Sequence, residues 1–133
     1  AIGVAQLSRI KLILKKKRNL YLKYSRELKN IPIKLQIENK DTINSYWLVG
    51  CITKNKSIRN KLMKFLKKSG VETRPGFYPI HTMPMYNKLS KNKFPTAIKL
   101  GSSIICLPSS PDISIKNINY ICKKIKNFFK NKK

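Results

Sequence analysis

The amino-acid sequence predicts an α+β fold: a small, mostly antiparallel three-stranded sheet covered by helices on one face, with a long amino-terminal amphipathic helix. Three observations lead there. Apolar residues recur at three/four spacing in separate segments, the mark of helices with one buried stripe. Between them lie short runs of β-branched and aromatic residues, too short for helices. No glycine-rich turn joins a strand to a helix, so the phosphate-cradling turn of a doubly wound parallel sheet is missing.

From Ile2 to Leu28 the residues Leu7, Ile10, Ile13, Leu14, Leu20, Tyr21, Tyr24 and Leu28 share one helical stripe with lysines mostly opposite. At 1.5 Å per residue this helix would run about 40 Å, more than so small a domain needs, so part of it is expected to pack against something else. Asn30-Ile31-Pro32 should end it, because proline restricts the residue before it and cannot donate the next bond. After a polar stretch from Gln36 to Ser45, Tyr46 to Thr53 reads as a buried strand.

Ser57 is expected to cap a second helix whose apolar face is Ile58, Leu62, Phe65 and Leu66, and Gly70 to close it in the left-handed conformation. Val71 to Arg74 reads as a strand leading into a proline-punctuated loop, Pro75 to Tyr86, and then a lysine- and asparagine-rich turn up to Lys93. Phe94-Pro95 should start a short helix through Leu100 that Gly101 breaks, before a third strand from Ser103 to Leu107. Ser114 should cap a final helix carrying Ile115, Ile118, Ile121, Cys122, Ile125, Phe128 and Phe129, with Lys130 to Lys133 at its dipole-favoured end and a fraying tail.

Composition narrows the function classes. The 133 residues suit one small domain, residues 1–133, and no apolar run reaches the length of a bilayer span. The chain opens on Ala1-Ile2-Gly3 with neither initiator methionine nor leader, and is expected to be an internal fragment. The net charge of +25 invites a nucleic-acid reading, but arginine, the favoured phosphate and base contact, numbers only Arg9, Arg18, Arg26, Arg59 and Arg74. Lysine, asparagine and isoleucine, all with A/T-rich codons, dominate instead, which explains the charge as a codon-driven solvated face. Cys51, Cys106 and Cys122 are odd in number and sit in apolar runs, fitting free thiols in a reducing cytosol, and His81 is the sole histidine, too few for a metal knuckle.

The segment from Arg74 to Tyr86 concentrates the chemistry. Three prolines are expected to hold it extended, and a cation, two tyrosines and the only histidine offer donors for phosphate and sugar hydroxyls. The bland alternative is that Phe77, Tyr78 and Tyr86 cap the domain edge and His81 bonds a backbone carbonyl. Glu27, Glu38, Asp41, Glu72 and Asp112 are too scattered for paired-carboxylate catalysis, and no serine or cysteine has a recognisable nucleophile setting.

In order along the chain, several marks occur together: Ala1-Ile2-Gly3-Val4-Ala5-Gln6-Leu7 before a basic helix, Glu72-Thr73-Arg74-Pro75, Phe77-Tyr78-Pro79-Ile80-His81, Pro84-Met85-Tyr86, Phe94-Pro95-Thr96-Ala97 and Leu107-Pro108. In this order they resemble the pyridoxal-phosphate-dependent nucleotide-sugar aminotransferases of the DegT/StrS type, in their carboxy-terminal small domain. The resemblance implies the aspartate-aminotransferase fold type, with residues 1–29 as the linking helix from a large domain. It also implies a cytoplasmic homodimer with active sites between subunits, and amino transfer from glutamate to a nucleotide-linked keto sugar. The Schiff-base lysine and the other pyridoxal phosphate ligands would lie outside this chain, leaving it inert alone. Arg74, Tyr78, His81 and Tyr86 are the substrate contacts so implied, while Gly76 departs from the aromatic residue often found at its position. A free-standing basic nucleic-acid-binding domain and a non-catalytic remnant or split subunit are the rival readings.

Overall fold

The computed structural model describes residues 1–86 and 94–130; the lysine-rich turn expected after Tyr86 and the tail after Lys130 lie outside the described residues. Helices α1 (Ile2–Ser8) and α2 (Ile10–Glu27) lead to strands β1 (Lys34–Leu35) and β2 (Val49–Ile52). Helix α3 (Lys56–Lys68) and strand β3 (Arg74–Pro75) follow, then a single 3-10 turn (Ile80–Thr82), helix α4 (Pro95–Ser103), strand β4 (Ile104–Leu107) and helix α5 (Ile115–Lys130). The class is α+β, but the sheet has four strands, in the order β1-β2-β4-β3, all antiparallel. The strand missing from the sequence reading is two residues long, and its pairing is reinforced by a side chain: the Gly50 N–H donates to Gln36 Oε1 at 2.9 Å.

Strand residues alternate as a half-buried sheet requires. Val49, Cys51, Ile105 and Leu107 face the helices and are buried, whereas Gly50, Ile52, Ile104 and Cys106 on the other face are only partly covered. Over the buried face lie Leu20 and Tyr24 of α2, Leu62 and Leu66 of α3, and Ile118, Ile121, Cys122 and Ile125 of α5. Tyr24 is fully buried and its hydroxyl donates to the Pro108 carbonyl at 3.0 Å, satisfying the one polar atom that burial would otherwise strand. Burial also pushes that phenol well above its ordinary range.

The expected single amino-terminal helix is two helices. Arg9 leaves the helical region with φ −104° and ψ 3°, and its N–H bonds Gln6 O at 3.1 Å. None of the residues of α1 is buried. Helix α2 ends at Glu27, before Asn30-Ile31-Pro32, with the Leu28 N–H on Tyr24 O at 2.9 Å. The cap of α3 is Asn55, not Ser57: its backbone is extended and its side chain accepts the Ile58 N–H at 3.0 Å. Gly70 does close that helix, with φ +73° and the Val71 N–H returning to Leu66 O at 2.9 Å. Ser114 does cap α5, accepting the Asn117 N–H at 3.1 Å.

Helix α4 runs through Gly101 to Ser103 and is not broken there. A Cβ on Gly101 would sit 2.7 Å from Pro79 Cδ, so the glycine serves a close helix–loop approach. Below this contact the buried Arg59 of α3 donates to the Gly101 carbonyl at 3.1 Å and to Asn60 Oδ1 at 3.0 Å, tying α3 to α4.

Candidate functional site

The loop from Arg74 to Tyr86 leaves the open edge of the sheet. Arg74 opposes Cys106 in β4, and the Gly76 N–H continues the pairing by donating to Ile104 O at 3.0 Å. Gly76 lies so close to β4 that a Cβ there would come within 2.9 Å of Ile104 Cβ, which accounts for a glycine at this position. The prolines do not hold the segment extended throughout. Pro79 O accepts both the Thr82 N–H and its hydroxyl, at 2.9 and 2.7 Å, and folds residues 80–82 into the 3-10 turn. A second turn closes with the Tyr86 N–H on Met83 O at 2.9 Å.

The four candidate residues occupy different surroundings. Arg74 lines a groove of about 610 Å³ between β3, the end of β4 and the first turns of α5, together with Glu72, Ser109, Asn117 and Tyr120. Its guanidinium has no ion-pair or hydrogen-bond partner among the described residues. Tyr78 is exposed and Tyr86 nearly half so. His81 is half-buried in the 3-10 turn, its ring 4.8 Å from that of Phe94, and its Nε2 is sealed from solvent without a hydrogen-bond partner. Among the described residues no hydrogen bond or ring contact joins any two of the four.

One aromatic residue near this loop escaped the sequence reading. Trp47 is not part of a buried strand: it precedes β2, is 67% exposed and stacks on the equally open Phe77, ring centroids 6.2 Å apart. Alternation from Val49 and Cys51 would bury Trp47; Tyr46 is buried instead, because the positive φ at Tyr46 breaks the strand ahead of β2. Tyr46 is held at φ +49° by the Asn44 side chain, which accepts its N–H at 2.7 Å, and it stacks on Tyr21 at 4.1 Å. Arg18 reaches over the Tyr46 ring and forks onto Glu38 at 2.7 and 3.2 Å, holding that carboxyl below its usual range. Phe94, read in the sequence as the start of a short helix and as part of one of the ordered marks, lies with its ring 4.8 Å from that of His81.

Neither groove fits a bound pyridoxal phosphate. The one at Arg74 has Glu72 and Tyr120 but no lysine for a Schiff base. A second, of about 410 Å³ between α2 and α5, has Lys23, Lys123, Lys126 and Lys130 but no aromatic wall, and its carboxylate, Glu27, already pairs with Lys23 and Lys126. Among the described residues no group of three His, Cys, Asp or Glu could hold a metal, and no helix is long and apolar enough to cross a membrane.

Residues 1–126 match the DegT/DnrJ/EryC1/StrS aminotransferase family. The chain belongs to that family. It is 41% identical over 132 residues to the GDP-perosamine synthase of Vibrio cholerae, covering 97% of this chain and 36% of that protein. The GDP-perosamine synthase of Escherichia coli O157:H7 is 37% identical, over 99% of this chain and 36% of its own length. This member of the aminotransferase family therefore spans about a third of the curated relatives it matches. The fold agrees. The aminotransferase TlmJ from Streptoalloteichus hindustanus superposes with a TM-score of 0.89 at 19% identity, over 98% of this chain and 35% of that one. Helicobacter pylori PseC, an aminotransferase of pseudoaminic acid biosynthesis, gives 0.83 at 20% identity, over 97% and 36%.

Proposed function

We propose that this chain is the small, substrate-closing domain of a pyridoxal-phosphate-dependent aminotransferase that moves an amino group from glutamate to a nucleotide-linked keto sugar. Its product would feed cell-surface polysaccharide or a related glycoconjugate, and the whole enzyme would be a cytoplasmic homodimer. The observation that carries this is the 41% identity to a GDP-perosamine synthase along 97% of the chain but only 36% of that enzyme. The cofactor, held by the remaining length of such an enzyme, supplies the electron sink for the transfer. The share of this chain is orientation and closure. Arg74 has a free guanidinium fork for a phosphate, Tyr78 and Tyr86 present hydroxyls to sugar oxygens, and His81 carries an unmet ring nitrogen. Unmet buried polar atoms are rare in folded proteins.

The test is a chimera in which this chain replaces the matching third of the Vibrio cholerae GDP-perosamine synthase. The chimera should transaminate a GDP-linked keto sugar with glutamate as donor, while the isolated chain mixed with pyridoxal phosphate develops no glutamate-responsive absorbance. Arg74→Ala or His81→Ala in the chimera should remove one charge-assisted contact, about 1.5 to 3 kcal/mol, or roughly ten- to a hundredfold in kcat/KM. Cofactor absorbance should stay intact in both. Unchanged kinetics in both variants would return these residues to a purely structural role.

A further inference from the structure

Arg59 of α3 is only 7% exposed, and none of the ion pairs among the described residues includes it. Taking a guanidinium out of water without a carboxylate beside it costs stability, so its contribution lies in what its donors hold. Nη1 donates to the Gly101 carbonyl at 3.1 Å and Nε to Asn60 Oδ1 at 3.0 Å. Gly101 O is one of the last four carbonyls of α4, which find no partner within their own helix. Its neighbours are met otherwise: Leu100 O accepts the Ile104 N–H, and Ser103 O accepts the Thr53 N–H and hydroxyl at 3.1 and 3.0 Å. Arg59 therefore fixes the last turn of α4 to α3, and its charge suits that end of the helix dipole.

That turn bears on the loop through a contact with little give. A Cβ on Gly101 would stand 2.7 Å from Pro79 Cδ, 3.0 Å from Pro79 Cγ and 3.1 Å from Phe77 O, so helix backbone and proline ring meet with no side chain between them. Glycine has no rotamer to move and the proline ring fixes φ, so a shift of α4 passes into the loop. Pro79 O in turn holds Thr82 by its N–H and hydroxyl, closing the 3-10 turn on which His81 sits. The other end of the segment is pinned separately, by the Gly76 N–H on Ile104 O at 3.0 Å. We infer that Arg59 is a positioning residue: from outside the loop, and without meeting any ligand, it sets the place of residues 77–82 through Gly101 and Pro79. This rests on the reading of the loop as a substrate-closing element and adds the residue that holds it in register.

Trp47, the only tryptophan in the sequence, stacks on Phe77 and so reports this segment in the near-ultraviolet circular dichroism of the 133-residue chain. Arg59→Met keeps an apolar stem and removes the donors, whereas Gly101→Ala leaves the carbonyl and crowds Pro79. Both should change the tryptophan signal, and Arg59→Lys, able to restore one donor, should recover part of it. The control is Asn55→Ala, which removes the α3 cap and lowers Tm without touching Gly101; it should leave the tryptophan signal as in the parent. In the chimera, Arg59→Met should lower kcat/KM for the nucleotide sugar about tenfold, with kcat/KM for glutamate unchanged. Combined with Gly101→Ala it should cost less than the two single losses together, because both act through one contact. If Arg59 only stabilises, its Met variant lowers Tm while the tryptophan signal and the sugar kcat/KM stay with those of Asn55→Ala. That result, or losses that simply add in the double variant, overturns the inference. Should Arg59→Met fail to fold, Arg59→Lys and Gly101→Ala carry the same two readouts. Transamination with a sugar kcat/KM unmoved by these variants sinks the positioning role alone. A chimera without transamination, beside a tryptophan signal that follows Arg59→Met and Gly101→Ala, sinks the functional reading alone.

Discussion

Glu27 lies between two lysines, with Lys23 Nζ at 3.0 Å and Lys126 Nζ at 2.7 Å, the second reaching across from α5. Hydrogen bonds from Lys126 and then Lys23 lower its carboxyl from 4.5 to about 2. A carboxylate whose folded value is depressed adds stability that is fully present above its unfolded value and lost as pH falls through the folded one. Glu27 should therefore support the α2–α5 contact above pH 4.5 and cease to do so by about pH 2. Glu27→Gln should lower Tm near about pH 7, with the gap to the parent closing as pH is brought down towards about 2. A gap of constant size across that range would mean that the ion pair is not its cause. The lysines of this pair were visible in the sequence only as charge; Lys126 stands 99 positions from Glu27, so nothing local joined them.

At the scale of elements, local chemistry was legible at several helix ends, though not at Asn55, which caps α3 in place of the expected Ser57. Gly70 and Ser114 act as the end and the start of helices, and Pro95 stands in the first turn of α4. Gly101 was misread because its reason is a neighbour distant in sequence, Pro79, against which a Cβ would stand at 2.7 Å. Gly101→Ala should therefore overpack the α4–loop contact and cost about 1 to 3 kcal/mol in urea unfolding. Gly3→Ala, where a Cβ meets nothing within 4 Å, should be neutral or slightly stabilising. Equal effects from the two substitutions would show that helix propensity, not packing, governs both.

For the whole molecule, the dominant property is charge, +25 with only five acidic residues. Three of those are already paired within the chain, Glu27 with Lys23 and Lys126, Glu38 with Arg18, and Asp112 with Lys16. Among the described residues most of the remaining lysines are exposed, and the sequence holds only five arginines, the forks that read bases. Duplex DNA should consequently bind weakly, with no preference for sequence, and log Kd should rise linearly with log salt as counterions are released. Tight, sequence-dependent binding in an electrophoretic or anisotropy titration at physiological salt would favour the nucleic-acid rival over the aminotransferase reading.

The sequence by itself determined the class, the main helices, the two longer strands and the loop from Arg74 to Tyr86, because these rest on periodicity and on residues that constrain their own backbone. Its ordered motifs also reached the aminotransferase family that residues 1–126 match. Only the tertiary structure decided the fourth strand, since two residues of β1 acquire meaning from pairing with Cys51 and Ile52. The break at Arg9 was likewise hidden, for an apolar stripe continues across it while the Arg9 backbone leaves the helical region. The site divides the same way. Arg74, Tyr78, His81 and Tyr86 could be named from one segment, but the approach of the His81 ring to Phe94 and the stacking of Trp47 on Phe77 could not. Such contacts join residues that sequence separation keeps apart, and folding alone brings them within a few ångströms.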